Sequence, residues 1–240
     1  MKQFALVAPA AAALIVGLVG CGDNLTLPGP TQTGLSLDVL GGNGQIGTVG
    51  QQLAEPVVVV VTNTAGVPLP GREVVFATTE SGAGAFEPST AMTDGQGKAL
   101  SHWTLGTVPG PYAGQATVVA QGDSTPPPVP LSATANPGSP DSVRADSPTI
   151  QNGRRGEAVD NPLVVVVVDR YGNPVPDVEV TWKAELGNGE LSPSSGTVTD
   201  GDGRCGVTWT LGNRIGIQQV TAEVHDLLGS PVTFSATVLF

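Results

Sequence analysis

The chain is poor in the side chains from which most catalytic and metal sites are built. Its 240 residues include two cysteines, two histidines and 4% aromatics, which leaves little material for metal centres, nucleophilic triads or base-stacking platforms. Basic residues are scarce as well: 10 Lys and Arg stand against 21 Asp and Glu, a net charge of −11. Nucleic-acid binding needs a basic footprint, so this balance argues against it. Long windows free of glycine and proline are also missing. With 33 glycines and 21 prolines spread along the chain, hardly any stretch of a dozen residues suits an uninterrupted helix, and a helical bundle is excluded. What is present is 40% hydrophobic and rich in valine. That is too apolar for wholesale disorder and suits short strands joined by turns.

The first residues read as an address. Met1 and Lys2 supply a positive start, and Phe4 to Val19 form an apolar run without a charge, the proportions of a secretory signal. The run ends at a cysteine: Leu18-Val19-Gly20-Cys21 resembles the bacterial lipobox. The resemblance implies cleavage before Cys21 and diacylglycerol on its thiol. Each buried lipid methylene contributes about 0.8 kcal/mol, so several chains anchor a protein without a transmembrane helix. Residues 1–20 are therefore expected to be a lipoprotein signal peptide. Residues 21–32, polar and proline-bearing, read as a lipid-anchored flexible tether. Gly22 rather than aspartate follows the cysteine, which permits the outer membrane, while Asp23 beside it leaves the inner one open. The expected address is the cell envelope, lipid-anchored to a bacterial membrane, with the outer membrane or cell surface favoured.

The rest of the chain is one unit written twice. Shifted by 106 residues, Gly47 to Gly106 aligns with Gly153 to Gly212 with 21 identities in 60 pairs, several times what chance gives. Glu55 to Val74 (EPVVVVVTNTAGVPLPGREV) matches Asn161 to Val180 (NPLVVVVVDRYGNPVPDVEV), TDGQGK matches TDGDGR, and WTLG recurs. The boundary falls at Asn136-Pro-Gly-Ser-Pro140, whose prolines make a short, semi-rigid joint. This divides the chain into a first sandwich (33–136), a linker (137–140) and a second sandwich (141–240).

Within a unit the apolar pattern has period two. Ala99, Ser101, Trp103 and Leu105 alternate with Leu100, His102 and Thr104, and Cys205, Val207, Trp209 and Leu211 repeat the inward set. The valine runs after Pro56 and Pro162 suit a central strand. Further strands are expected near Leu35–Leu40, Arg72–Thr78, Ala116–Ala120 and Val129–Ala135. The expected fold class is all-β, two tandem immunoglobulin-like sandwiches without an inter-sheet disulfide.

The valine strand after proline, the following G-x-P-x-P turn, the T-D-x-x-G turn and the W-T-L-G strand end resemble the bacterial immunoglobulin-like repeats of the intimin and invasin group. The resemblance covers both units. It implies a β-sandwich used as spacer or surface module, and no enzyme activity.

Chemical motifs are sparse. Gly42-Asn-Gly44-Gln-Ile-Gly47 matches a dinucleotide fingerprint, but no helix can follow it, so a flexible loop is expected. Asp200 and Asp202 alternate as calcium ligands do. The distal glutamate of such a loop is missing, and the copy Asp94-Gly-Gln-Gly97 lacks the second carboxylate, so a tight Asp-Gly turn competes with a weak calcium site. His102 falls on the outward set, where solvation is expected. Cys205, Trp103, Trp209, Phe76 and Trp182 are core candidates. Arg170 and Tyr171 after the valine strand, with Tyr112 in the loops of the first copy, remain as candidate surface contacts. No cofactor is expected beyond lipid on Cys21 and weak calcium. The leading function is a non-enzymatic cell-surface stalk or adhesion module, held to the membrane through its lipid. The alternative is a module that binds polysaccharide, calcium or a host protein.

Overall fold

A computed structural model describes residues 34–119, 121–122, 124–195 and 197–239; the lipobox and tether lie outside them. Seventeen strands and no helix occur among the described residues. The first nine are β1 (Leu35–Gly41), β2 (Gln45–Thr48), β3 (Val57–Asn63), β4 (Glu73–Thr78), β5 (Ala85–Glu87), β6 (Thr90–Met92), β7 (Lys98–Thr104), β8 (Gly110–Val118) and β9 (Val129–Asn136). They form two facing sheets, β1-β3-β7-β5 and β2-β9-β8-β4-β6. The other eight are β10 (Pro140–Ala145), β11 (Ile150–Arg154), β12 (Leu163–Asp169), β13 (Thr181–Ala184), β14 (Glu190–Ser192), β15 (Arg204–Thr210), β16 (Gly216–Glu223) and β17 (Val232–Leu239). Their sheets are β10-β12-β15-β14 and β11-β17-β16-β13. Each set of strands encloses its own apolar cluster, so the chain holds two tandem immunoglobulin-like sandwiches.

The period-two reading holds in the core. Ala99, Ser101, Trp103 and Leu105 are buried, as are Cys205, Val207, Trp209 and Leu211. The valine runs form the central strands β3 and β12, with Val57, Val59 and Val61 buried inward. Valines also occupy the outer face, and the second sandwich covers one of them. Val166 is flanked by Arg144 and Arg204 on the neighbouring strands. Both arginines reach Asp146, with Arg204 Nε 2.6 Å and Arg144 Nη1 3.7 Å from its carboxylate. Their stems bury Val166 while the charged ends stay wet.

Each core is closed by a fully buried tryptophan whose indole N–H is satisfied. Trp103 Nε1 donates to Ala83 O at 3.1 Å and Trp209 Nε1 to Asn188 O at 2.7 Å. Trp103 stacks on Phe86 with ring centroids 4.7 Å apart. Trp182 is buried against Phe234, centroids 5.8 Å apart, but its Nε1 has no hydrogen-bond partner among the described residues.

Two expectations are corrected. The glycine-rich segment Gly42–Gly47 is no flexible loop: the first strand crosses there from one sheet to the other and continues as β2, parallel to β9. Gly42 makes the crossing at φ 75°, and a Cβ on it would lie 2.0 Å from Pro56 O, so the motif serves a close backbone approach. Gln45 fixes the crossing, its Nε2 donating to Gly42 O and Glu55 O while its Oε1 accepts the Glu55 N–H. Gln151 repeats this clamp on both backbone groups of Asn161. The strand placed at Ala116–Ala120 starts earlier, at Gly110, and therefore takes in Tyr112.

Candidate functional site

Four residues that differ between the two copies, Asp169, Arg170, Tyr171 and Asn173, lie where the sandwiches meet. After each valine strand the chain makes the same turn, organised by one side-chain oxygen. In the first sandwich Asn63 Oδ1 accepts the N–H groups of Ala65 and Val67, both at 2.9 Å. In the second, Asp169 Oδ1 accepts those of Tyr171 and Asn173 at 2.8 and 2.9 Å. The exchange of amide for carboxylate adds a second acceptor, since the amide's other atom is an NH₂ donor. Asp169 Oδ2 uses it twice, taking the N–H of Gly138 in the linker at 2.8 Å and Nδ2 of Asn173 at 2.9 Å.

Asn173, which stands where the first copy has Val67, extends this network across the junction. Its Nδ2 also donates to Thr107 O of the first sandwich, at 2.8 Å. Asp169 and Asn173 are both buried. Burial alone pushes the Asp169 carboxyl up. The hydrogen bonds from the Asn173 side chain and from the N–H groups of Gly138, Asn173 and Tyr171 outweigh this and hold it below the usual carboxylate range.

Arg170 and Tyr171 sit at this junction. The Arg170 guanidinium lies over the Tyr171 ring, 4.5 Å from its centroid, and donates to the phenol oxygen. That oxygen is seated against Gly50 of the first sandwich, where an added Cβ would come within 2.2 Å of it. Tyr112 is not in a loop. It belongs to β8, packs against the first core, and its hydroxyl donates to Val108 O at 2.6 Å and accepts the Val108 N–H. Gln218 takes the equivalent place in the second sandwich. It is fully buried and holds the loop before β16 through Gly212 and Arg214.

The remaining candidates serve turns and packing. Asp200 Oδ1 accepts the N–H groups of Asp202 and Arg204, both at 2.9 Å, and Asp94 does the same for Gln96 and Lys98. The N–H groups of Lys98 and then Gln96 hold the Asp94 carboxyl below its usual value. Among the described residues no group of three or more His, Cys, Asp or Glu converges as for a metal ion. His102 departs from the solvated expectation: it is half-buried, with Nδ1 2.8 Å from Gln52 Nε2. Cys205 is a buried free thiol. The sequence reading missed Asp169, Asn173 and Gln218. For the first two the available signal was a loss of repeat identity beside the linker.

Comparisons with known proteins agree with the architecture. Residues 156–237 match the family described as bacterial Ig-like domain (group 1). No curated protein matches the chain. The adhesin FdeC of Escherichia coli is similar at 18% identity over 86% of this chain and 65% of that one, with a TM-score of 0.50. InvD of Yersinia pseudotuberculosis is similar at 18% identity over 85% and 57% of the two chains, with a TM-score of 0.49. The chain thus spans less than two thirds of these structures, and at such identity the likeness shows the fold alone. Over residues 156–237 the second sandwich is thus similar to the bacterial Ig-like domains of group 1, and the first repeats its sequence pattern and sheet plan.

Proposed function

We propose that the chain is a non-enzymatic lipoprotein of the bacterial cell envelope that works as a stalk or adhesion module. Residues 1–20 are removed, Cys21 carries lipid, residues 21–32 form the tether, and the two sandwiches hold their loops away from the membrane. The observation that carries the reading is the junction. Four hydrogen-bonding partners, Asp169, Gly138, Asn173 and Thr107, tie the linker and both sandwiches together. An arrangement that fixes one module on the next suits a spacer, and of the polar residues singled out by the sequence Tyr112 and Asp200 are spent on packing and on a turn. The similarity in fold to the adhesin FdeC supports the same reading.

Labelled palmitate should enter the wild-type chain and not Cys21→Ala, and protease applied to intact cells should degrade the wild type. Absence of label overturns lipid anchorage. Full protection from protease overturns surface display.

A further inference from the structure

Between the two sandwiches, beside the Asp169 network, lies a cleft of about 370 Å³, within the range of small-ligand sites, which favour domain interfaces. Its polar lining comes from three parts of the chain: Thr48 and Gln51 of the first sandwich, Ser139 of the linker, and Asp141, Arg170 and Tyr171 of the second. The side chains of Thr48, Gln51, Ser139 and Asp141 make no hydrogen bond among the described residues. Arg170 spends one donor on the Tyr171 hydroxyl and has others left. Tyr171 itself is held between the guanidinium and Gly50, so the wall is pre-formed and little ordering is needed for a ligand to bind.

The chemistry of this lining selects a ligand class. Asp141 only accepts hydrogen bonds and Arg170 only donates them, while Thr48, Ser139 and Gln51 do both. Hydroxyl groups, each a donor and an acceptor, satisfy such a mixed set better than a uniformly accepting anion or a uniformly donating cation. Charge points the same way. Arg170 and Asp141 cancel within the cleft, and the chain as a whole carries −11, which repels anions at long range. Val49, Pro140 and the Tyr171 ring give the wall an apolar share comparable with its polar one, a mixture that matches the alternating C–H and O–H surface of a sugar better than a wholly apolar lipid tail.

We propose that this inter-sandwich cleft binds a neutral sugar unit of a glycan, with Arg170 donating to and Asp141 accepting from its hydroxyls. Copy-specific residues make the site: Arg170 and Tyr171 stand where the first sandwich has Thr64 and Ala65. The inference goes beyond the stalk reading and is independent of the lipid. Failed palmitate labelling leaves it standing, and failed sugar binding leaves the anchor untouched.

The test is an NMR titration of the ¹⁵N-labelled chain, both sandwiches present, with maltotriose, cellotriose and chitotriose. Small polar sites of this kind give dissociation constants on the order of 1 mM, so titration to about 10 mM suffices. The expected result is saturable shifts with at least one of the three, centred on the amides of Thr48, Gln51, Ser139, Asp141 and Tyr171. Arg170→Thr, which restores the residue of the first copy, should weaken binding about tenfold, the effect of losing one well-made hydrogen bond to a charged group. Asp141→Ala, which leaves the Asp169 network intact, should do so about fivefold or more. Trigalacturonate should bind more weakly than the neutral sugars. The proposal is overturned by no saturable shift with any neutral trisaccharide, by shifts centred elsewhere, by stronger binding of trigalacturonate, or by an Asp141→Ala chain that binds like wild type.

Discussion

The turn at Asn63–Val67 and the turn at Asp169–Asn173 have the same backbone plan and different tasks. The first closes on itself through one amide oxygen. The second uses a carboxylate with two working oxygens and a neighbouring asparagine, and reaches out to the linker and the other sandwich. The lesson is that one turn plan either closes on itself or forms a joint according to two side chains. Where the first copy has an amide and a valine the second has a carboxylate and an asparagine, and the turn keeps its backbone plan.

The comparison can be broken most severely at what the two copies share. Trp103→Ala and Trp209→Ala each remove a fully buried indole and are expected to cost about 3–5 kcal/mol. Denaturant unfolding should show each variant melting its own sandwich first. Loss of both together at the same denaturant concentration would mean that the cores are not separate. Next in size is Asp169→Asn, which returns the first copy's amide and sets its NH₂ against the Gly138 N–H. It is expected to cost about 1.5–3 kcal/mol of interaction at the joint. Residual dipolar couplings should change from one shared alignment for both sandwiches to two, while the reciprocal Asn63→Asp leaves a single alignment.

Acid sharpens the same contrast. The folded-state value of the Asp169 carboxyl is depressed. Its stabilisation is therefore complete above the unfolded value of about 3.9 and is lost as the pH falls through the lower folded one. Below about pH 4 the two alignments should begin to separate. Asp94 shifts in the same direction, but its bonds close within one turn, so only local amide shifts are expected there. The smallest effect is that of Trp182→Phe, which copies Phe76 of the first sandwich. It removes a buried N–H without a partner among the described residues, a gain that offsets the lost packing, so stability by thermal unfolding should change by less than about 1 kcal/mol. A loss near that of the other tryptophans would show that this indole is satisfied in solution.

Much of the fold was legible because burial leaves a period-two imprint: the alternation at Ala99–Leu105 and the valine runs gave the central strands directly. What escaped has no such imprint. The short strand β2 alternates only between half-buried and exposed, and β5 and β6 have three residues each, too few for a pattern to declare itself. Tyr112 was misplaced because Gly110 and Pro111 read as turn residues, yet they pair with β9 at Ala135 and Thr134. The joint was invisible for another reason. Its partners are separated by 31 and 66 residues along the chain, and nothing local to Asp169 marks which distant amide its second oxygen will meet.

In both sandwiches the strand after the crossing runs parallel to the last strand, β2 along β9 and β11 along β17. A pull applied through the two ends of a module draws these paired strands in opposite directions along their length. The ladder bonds are then loaded together in shear instead of being peeled one after another. The second sandwich sets Ile150–Arg154 against Ser235–Leu239, the first Gln45–Thr48 against Ala133–Asn136. The shorter ladder of the first module makes it the weaker link under tension.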